Sequence, residues 1–141
     1  MASIIYDSMM EDLVRGAIDF DTDTFKVMLV TDTYVPSKGG HNRKDDITGE
    51  VGTSGTNYAA GGVATTVTPT LDTVNHRLDL AFSNVTWNNA TITAKGAVIY
   101  KSVGADASLM PIVAYVDFGQ NVSSTAAAFA VTFSSALRFQ N

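Results

Sequence analysis

The sequence predicts a mainly β protein, a β-sandwich or barrel with one N-terminal helix, and three observations carry that reading. Seven or so short segments after Ile18 change to a two-residue apolar period and are separated by turn residues, which suits packed antiparallel sheets rather than a βαβ fold. Only one stretch keeps a helical period. Of the 14 acidic residues, all but Glu11 and Glu50 are Asp, the acid whose short side chain caps turns and helix starts.

The helix is expected over Ile4 to Arg15. Ser3 stands where an N-cap is wanted, Asp7 and Glu11 lie toward the positive end, and Gly16 suits a left-handed C-terminal residue. Ile5, Met9 and Leu13, with Tyr6, Met10 and Val14 beside them, would give it a broad apolar stripe. Phe25–Thr31 is apolar on both faces, as in a strand covered on both sides. Val63, Thr65, Val67 and Leu71 alternate with Ala64 and threonines, predicting one half-buried strand that ends in a turn at Asp72-Thr73-Val74-Asn75. Strands follow through Leu78, Leu80 and Phe82, then over 92–101, 111–118 and 127–133, and a last one carries Leu137 and Phe139. The exception is 34–62, rich in glycine and polar residues and far longer than most loops of compact domains. It reads as an exposed arm on a single β domain spanning 1–141.

Length and charge bound the function. A chain of 141 residues suits one core without disulfide or metal staples, and it has no cysteine. No apolar run approaches the ~20 residues of a membrane helix, and the first residues have neither a basic region nor a clear cleavage site, so neither a spanning role nor a signal peptide is expected. The net charge of -5, with nine scattered basic residues, argues against a nucleic-acid partner, which needs clustered Lys and Arg.

No catalytic, cofactor or metal signature stands out. Counted from Asp19, the sixth and twelfth positions of a calcium loop would be Thr24 and Val30 rather than Gly and Glu. His41 and His76 are the only histidines available as a general base; Gly52-Thr53-Ser54-Gly55 is no nucleophile elbow, and no phosphate-binding glycine motif precedes a helix. The expectation is no catalysis, no cofactor and no metal. Trp87 reads as core, with sugar stacking as the competing role. Tyr34 and Tyr58, flanking the arm, are candidate protein-contact residues because tyrosine brings large contact area at low entropic cost.

The order of segments carries a resemblance. Ile4–Leu13, Ile18–Val30, Asp46–Val51, Tyr58–Gly62, Val85–Ala97 and Pro111–Gly119 together resemble the small capsid cement or decoration proteins of tailed bacteriophages, over nearly the whole chain. The resemblance implies a jelly-roll-like β domain that forms a homodimer or homotrimer on the outer surface of the head. There it would bridge subunits of the major capsid protein, with no nucleic acid and no membrane as partner. It also implies shell and subunit contacts in the 34–62 arm and at the chain ends, but transfers no residue-level site; Tyr34, His41, Arg43 and Tyr58 are candidates by their place in the arm alone. An obligate interface would suit the small apolar stretch Ser123–Ala130. Competing roles are a tail or fibre component, a carbohydrate-binding β-sandwich using Trp87, and an enzyme using His76 or paired Asp residues.

Overall fold

The computed structural model describes residues 3–141. In chain order the elements are β1 (Ile4–Ile5), α1 (Asp7–Val14), β2 (Phe25–Val30), β3 (Val63–Thr65), β4 (Val67–Asp72), β5 (Arg77–Phe82), β6 (Val85–Ala90), β7 (Thr93–Lys101), β8 (Ile112–Ser123), β9 (Ala127–Val131) and β10 (Leu137–Gln140). The protein is mainly β, as expected. Three antiparallel sheets form, in the orders β1-β8-β7-β2-β3, β10-β5-β4 and β6-β9.

β2 lies inside the five-stranded sheet and is apolar on both faces because each face meets its own core. Phe25, Val27 and Leu29 join Leu80, Phe82, Trp87, Phe129 and Val131 of the two smaller sheets, closing the sandwich. Rings of Phe20, Phe25 and Phe82 meet there at 5.1–6.4 Å between centroids. Met28 and Val30 face the other way, with Val98, Tyr100, Ile112 and Tyr115, and are covered by Tyr6, Tyr34 and Met110. Each fully buried aliphatic side chain contributes roughly 1.5–3 kcal/mol through removal from water.

The 34–62 segment gives Tyr34 and Ile47 to that second cover and Val51 and Tyr58 to the sandwich core, so it does not project as an arm along its length. It is laced to β2 by Thr31 N–H to Gly49 C=O (2.8 Å) and Val51 N–H to Leu29 C=O (3.0 Å), and a bridge joins Arg43 to Pro111 beside β8. Its loop composition follows from the absence of a regular ladder; Tyr34, Val51 and Tyr58 are nonetheless buried, while Val35 is exposed.

Three further expectations change. Helix α1 starts at Asp7, not Ile4, and Tyr6 stands at its N-cap without a side-chain cap. Ile4 and Ile5 pair instead with Tyr115 and Ala114, and Ser3 Oγ accepts the Asp117 N–H at 2.9 Å. Two β-branched residues at a free sheet edge gain a ladder there that an unpacked first helical turn would lack. Within α1, Met9 is buried while Met10 and Val14 are exposed, because a helix of two turns presents one narrow face. Gly16 does end it in the left-handed region, at φ +78°.

The 63–71 strand breaks at Thr66. β3 pairs with β2 and β4 with β5, so the chain crosses from one sheet to the other. Ser83 holds the crossing through Thr65 Oγ1, which donates to its carbonyl at 2.8 Å, and through its own N–H to Thr66 C=O at 2.9 Å. β6, around Trp87, is a strand that the turn-like Asn88-Asn89 pair conceals; Asn89 takes φ +48° and the register with β9 shifts beyond Trp87.

Candidate functional site

The four candidate contact residues fall on both faces of the five-stranded sheet. Tyr34 is 4% exposed and belongs to the core beneath the strap; Tyr58 is 3% exposed and belongs to the sandwich core. Neither ring offers contact area to a partner. His41 and Arg43 are half-buried, and both are engaged within the chain.

Tyr34 and His41 do come together. The Tyr34 hydroxyl lies 2.9 Å from His41 Nδ1 and 2.7 Å from the Tyr6 hydroxyl, and the imidazole stacks on the phenol ring at 5.6 Å. Ser37 N–H also points at Nδ1, at 3.3 Å, which makes that nitrogen an acceptor. The hydrogen-bond direction then runs from Tyr6 to Tyr34 to His41. The strap is thereby tied to the residue that opens α1.

Arg43 is aimed elsewhere, at α1. Its guanidinium grips Asp12 with two bonds, 2.8 and 3.1 Å, and Nη1 also donates to Asn42 C=O at 2.7 Å. Asp46 closes the same turn by accepting the N–H groups of Asn42 (2.8 Å) and Arg43 (3.1 Å). Those backbone donors, Asn42 first, hold its carboxyl below the ordinary Asp value.

Tyr58 anchors the far end of the strap. Its hydroxyl accepts the Leu29 N–H at 3.0 Å and donates to Glu50 Oε1 at 2.9 Å, and Glu50 Oε1 also takes the Gly61 N–H. Tyr100 completes the brace by donating to Gly61 C=O at 2.6 Å. The Tyr58 ring packs on Trp87 at 5.7 Å. Trp87 is buried between Tyr58 and Phe129 and has no open face for a sugar ring.

All five tyrosines are buried, and burial is the main cause that pushes each hydroxyl above its ordinary value of 10.0. Tyr100 is pushed up to about 12, with the Glu50 charge adding to burial. A folded-state value above the unfolded one gives stability that is present below the unfolded value and lost as pH rises through the folded value. Stability therefore falls with increasing pH above about pH 10. Titration followed by phenolate absorbance together with circular dichroism should show every tyrosine ionising above its ordinary value of 10.0 while the fold persists. A tyrosine that titrates reversibly near pH 10 in the folded protein would contradict this.

The carboxylates of Asp19 and Asp23, and those of Glu11 and Asp12 on α1, are also engaged. In the Asp19–Asp23 turn, Asp23 Oδ2 accepts the Asp19 N–H (2.7 Å) and pairs with Lys101 (2.9 Å), while Asp19 Oδ1 accepts the Asp21 N–H (2.9 Å). These carboxylates shape a turn rather than converge on an ion. A polar cleft of about 570 Å³ beside α1 holds Glu11 and Asp12, each paired with an arginine. Among the described residues no three His, Asp or Glu side chains stand close enough to hold a metal ion. His76 takes φ +53° in the β4–β5 turn, above an open cleft with Leu71, Leu78 and Phe139.

The surface carries what the candidate residues do not. Val74 at the tip of the β4–β5 hairpin is 84% exposed, and Leu71 beside it is also exposed. Leu71, Leu78 and Phe139 stand opposite one another across β4, β5 and β10, so an apolar row runs to the outer edge of this sheet. The ladder's other side is ionic: Arg138 lies 2.7 Å from Asp79, and Arg77 lies 3.2 and 3.3 Å from Asp79 and Asp72. The available sequence signal was a valine inside the polar turn Asp72–Asn75. In comparisons with known proteins the chain matches no family model, no curated protein and no solved structure.

Proposed function

We propose that this chain is a structural virion protein of a tailed bacteriophage. On this reading it is a capsid cement or decoration protein that associates with itself on the outside of the head and bridges subunits of the major capsid protein. The observation that supports an interaction role is the exposed pair Leu71 and Val74 at the β4–β5 hairpin, at the end of an apolar row whose other members, Leu78 and Phe139, are half-buried against the sandwich core. Such surface is unfavourable in water unless a partner covers it. The role needs a rigid module and interface area rather than chemistry, because packed DNA pushes the shell outward. Internal ties from the strap to α1 and β2 supply that rigidity. Contacts of about 800 Å² per partner are typical of stable association.

The test is co-sedimentation of the purified protein with emptied, decoration-stripped phage heads, with intact tails as the control. Saturable binding at a fixed ratio to the capsid protein, with raised heat resistance of the heads, is expected. Binding to tails or to host glycans instead would overturn the head assignment in favour of an adhesion role.

A further inference from the structure

We infer that β10 is the edge through which this protein self-associates: two copies pair their Leu137–Gln140 strands antiparallel about a two-fold axis at Phe139, giving a six-stranded sheet. The inference deepens the self-association part of the proposed function and rests on that part alone.

The hydrogen-bond phase of the small sheet supports it. Ser83 N–H donates to Thr66 C=O, and Asn141 N–H donates to His76 C=O at 3.2 Å. In an antiparallel strand, alternate residues turn their backbone groups to opposite neighbours. On β5, therefore, Arg77, Asp79 and Ala81 face β4, while Leu78 and Leu80 face β10. From the register Leu137↔Leu80 and Phe139↔Leu78, it follows that Leu137 and Phe139 bond inward. Arg138 and Gln140 then direct their N–H and C=O groups outward, where β10 has no neighbouring strand among the described residues.

The opposite edge is blocked. By the same alternation, Val67, Pro69 and Leu71 are the outward positions of β4, and the middle one is a proline with no N–H to give. Proline on an edge strand is a usual guard against strand addition. One edge is guarded and the other keeps all its donors, so the sheet has a single competent seam.

Self-complementarity selects the register. Only antiparallel pairings that place Arg138 and Gln140 opposite outward-bonding residues keep the apolar and ionic faces aligned. A two-fold at Arg138 would set two guanidinium groups opposite each other, which is unfavourable. With the two-fold at Phe139, Arg138 meets Gln140 of the second copy and Gln140 meets its Arg138, for four backbone bonds. Phe139 then meets its own copy at a non-hydrogen-bonded position, where side chains approach most closely. The apolar row continues as Leu71–Leu78–Phe139 on each side of the axis. Arg138 brings no uncompensated charge, since Asp79 already pairs it at 2.7 Å.

Light scattering on the wild-type protein at tens of micromolar should give twice the chain mass of 14.9 kDa. Gln140→Pro deletes an outward N–H and should give the monomer mass with an unchanged circular dichroism spectrum. In case that variant misfolds, Phe139→Cys offers an independent readout in a chain without cysteine. Mild oxidation should cross-link it into dimers, because opposed Cα atoms in such a pair fall within disulfide reach. Thr68→Cys on β4 should form no disulfide-linked dimer under the same oxidation. A monomeric or trimeric wild type overturns the inference, as does a dimer that persists in Gln140→Pro and fails to cross-link at 139. Heads that bind a monomeric wild type would leave the head assignment standing without this seam; a β10 dimer that ignores heads would do the reverse.

Discussion

Replacing Gly62 with alanine is expected to stop the chain from reaching its native state. Gly62 sits at φ +76°, directly before β3, and an added Cβ would lie 2.6 Å from the Val27 carbonyl carbon and 2.8 Å from Met28 Cα. Those are backbone atoms of β2, held on the other side by the register with β7 from Phe25↔Lys101 to Val30↔Gly96. Relief requires pulling β3 off the sheet or bending its central strand. Left-handed backbone alone costs an alanine roughly 1–2 kcal/mol. Adding the clash brings the cost to several kcal/mol, comparable with the whole stability of a domain, about 5–15 kcal/mol. Gly61→Ala is the control: its φ is +88°, but the near atom is the Tyr100 hydroxyl at 3.0 Å, the end of a side chain. Thermal melts should show no cooperative transition for Gly62→Ala and a modest loss for Gly61→Ala. Equal melts for both would contradict the packing described for this turn.

Removing Arg43 is expected to be the largest side-chain effect on the strap. Asp12 is only 6% exposed, and the Arg43 guanidinium is its cation. Breaking a buried pair from one side costs about 3–5 kcal/mol, because the remaining charge is stranded in low dielectric. Arg43 is the more open partner, so Arg43→Met should cost about 2–4 kcal/mol in chemical denaturation. The double variant Asp12→Leu with Arg43→Met should cost less than the two single losses added, with a coupling of about 1–3 kcal/mol. Additive losses would mean that the pair does not hold the strap to α1.

What the sequence discloses depends on whether a contact leaves a period. Arg77–Phe82 announces itself by apolar alternation, and Phe25–Val30 and Thr93–Lys101 by apolar runs that fit strands covered on both faces. The strap leaves no such trace. Tyr34 meets Tyr6 across 28 positions and Tyr58 meets Leu29 across 29, so nothing in a local window distinguishes a plug from a loop. The same limit explains the contact candidates: tyrosine suits an interface and a core equally well, and burial decides between them. At Thr66 the alternation runs on while the strand changes sheet, so one pattern covers two strands. Ile4 and Ile5 fit a helical stripe and a short edge strand alike, and the distant partners Tyr115 and Ala114 settle the choice. The β10 edge is less legible still, since it follows from which residues face β5 and from a proline two strands away.

The most direct test of the proposed function is electron cryomicroscopy of stripped phage heads before and after addition of this protein. The proposal predicts added density matching this β-sandwich on the outer surface, in fixed copy number, across boundaries between capsid subunits. Heads that gain no density, or density confined to the tail, would contradict it.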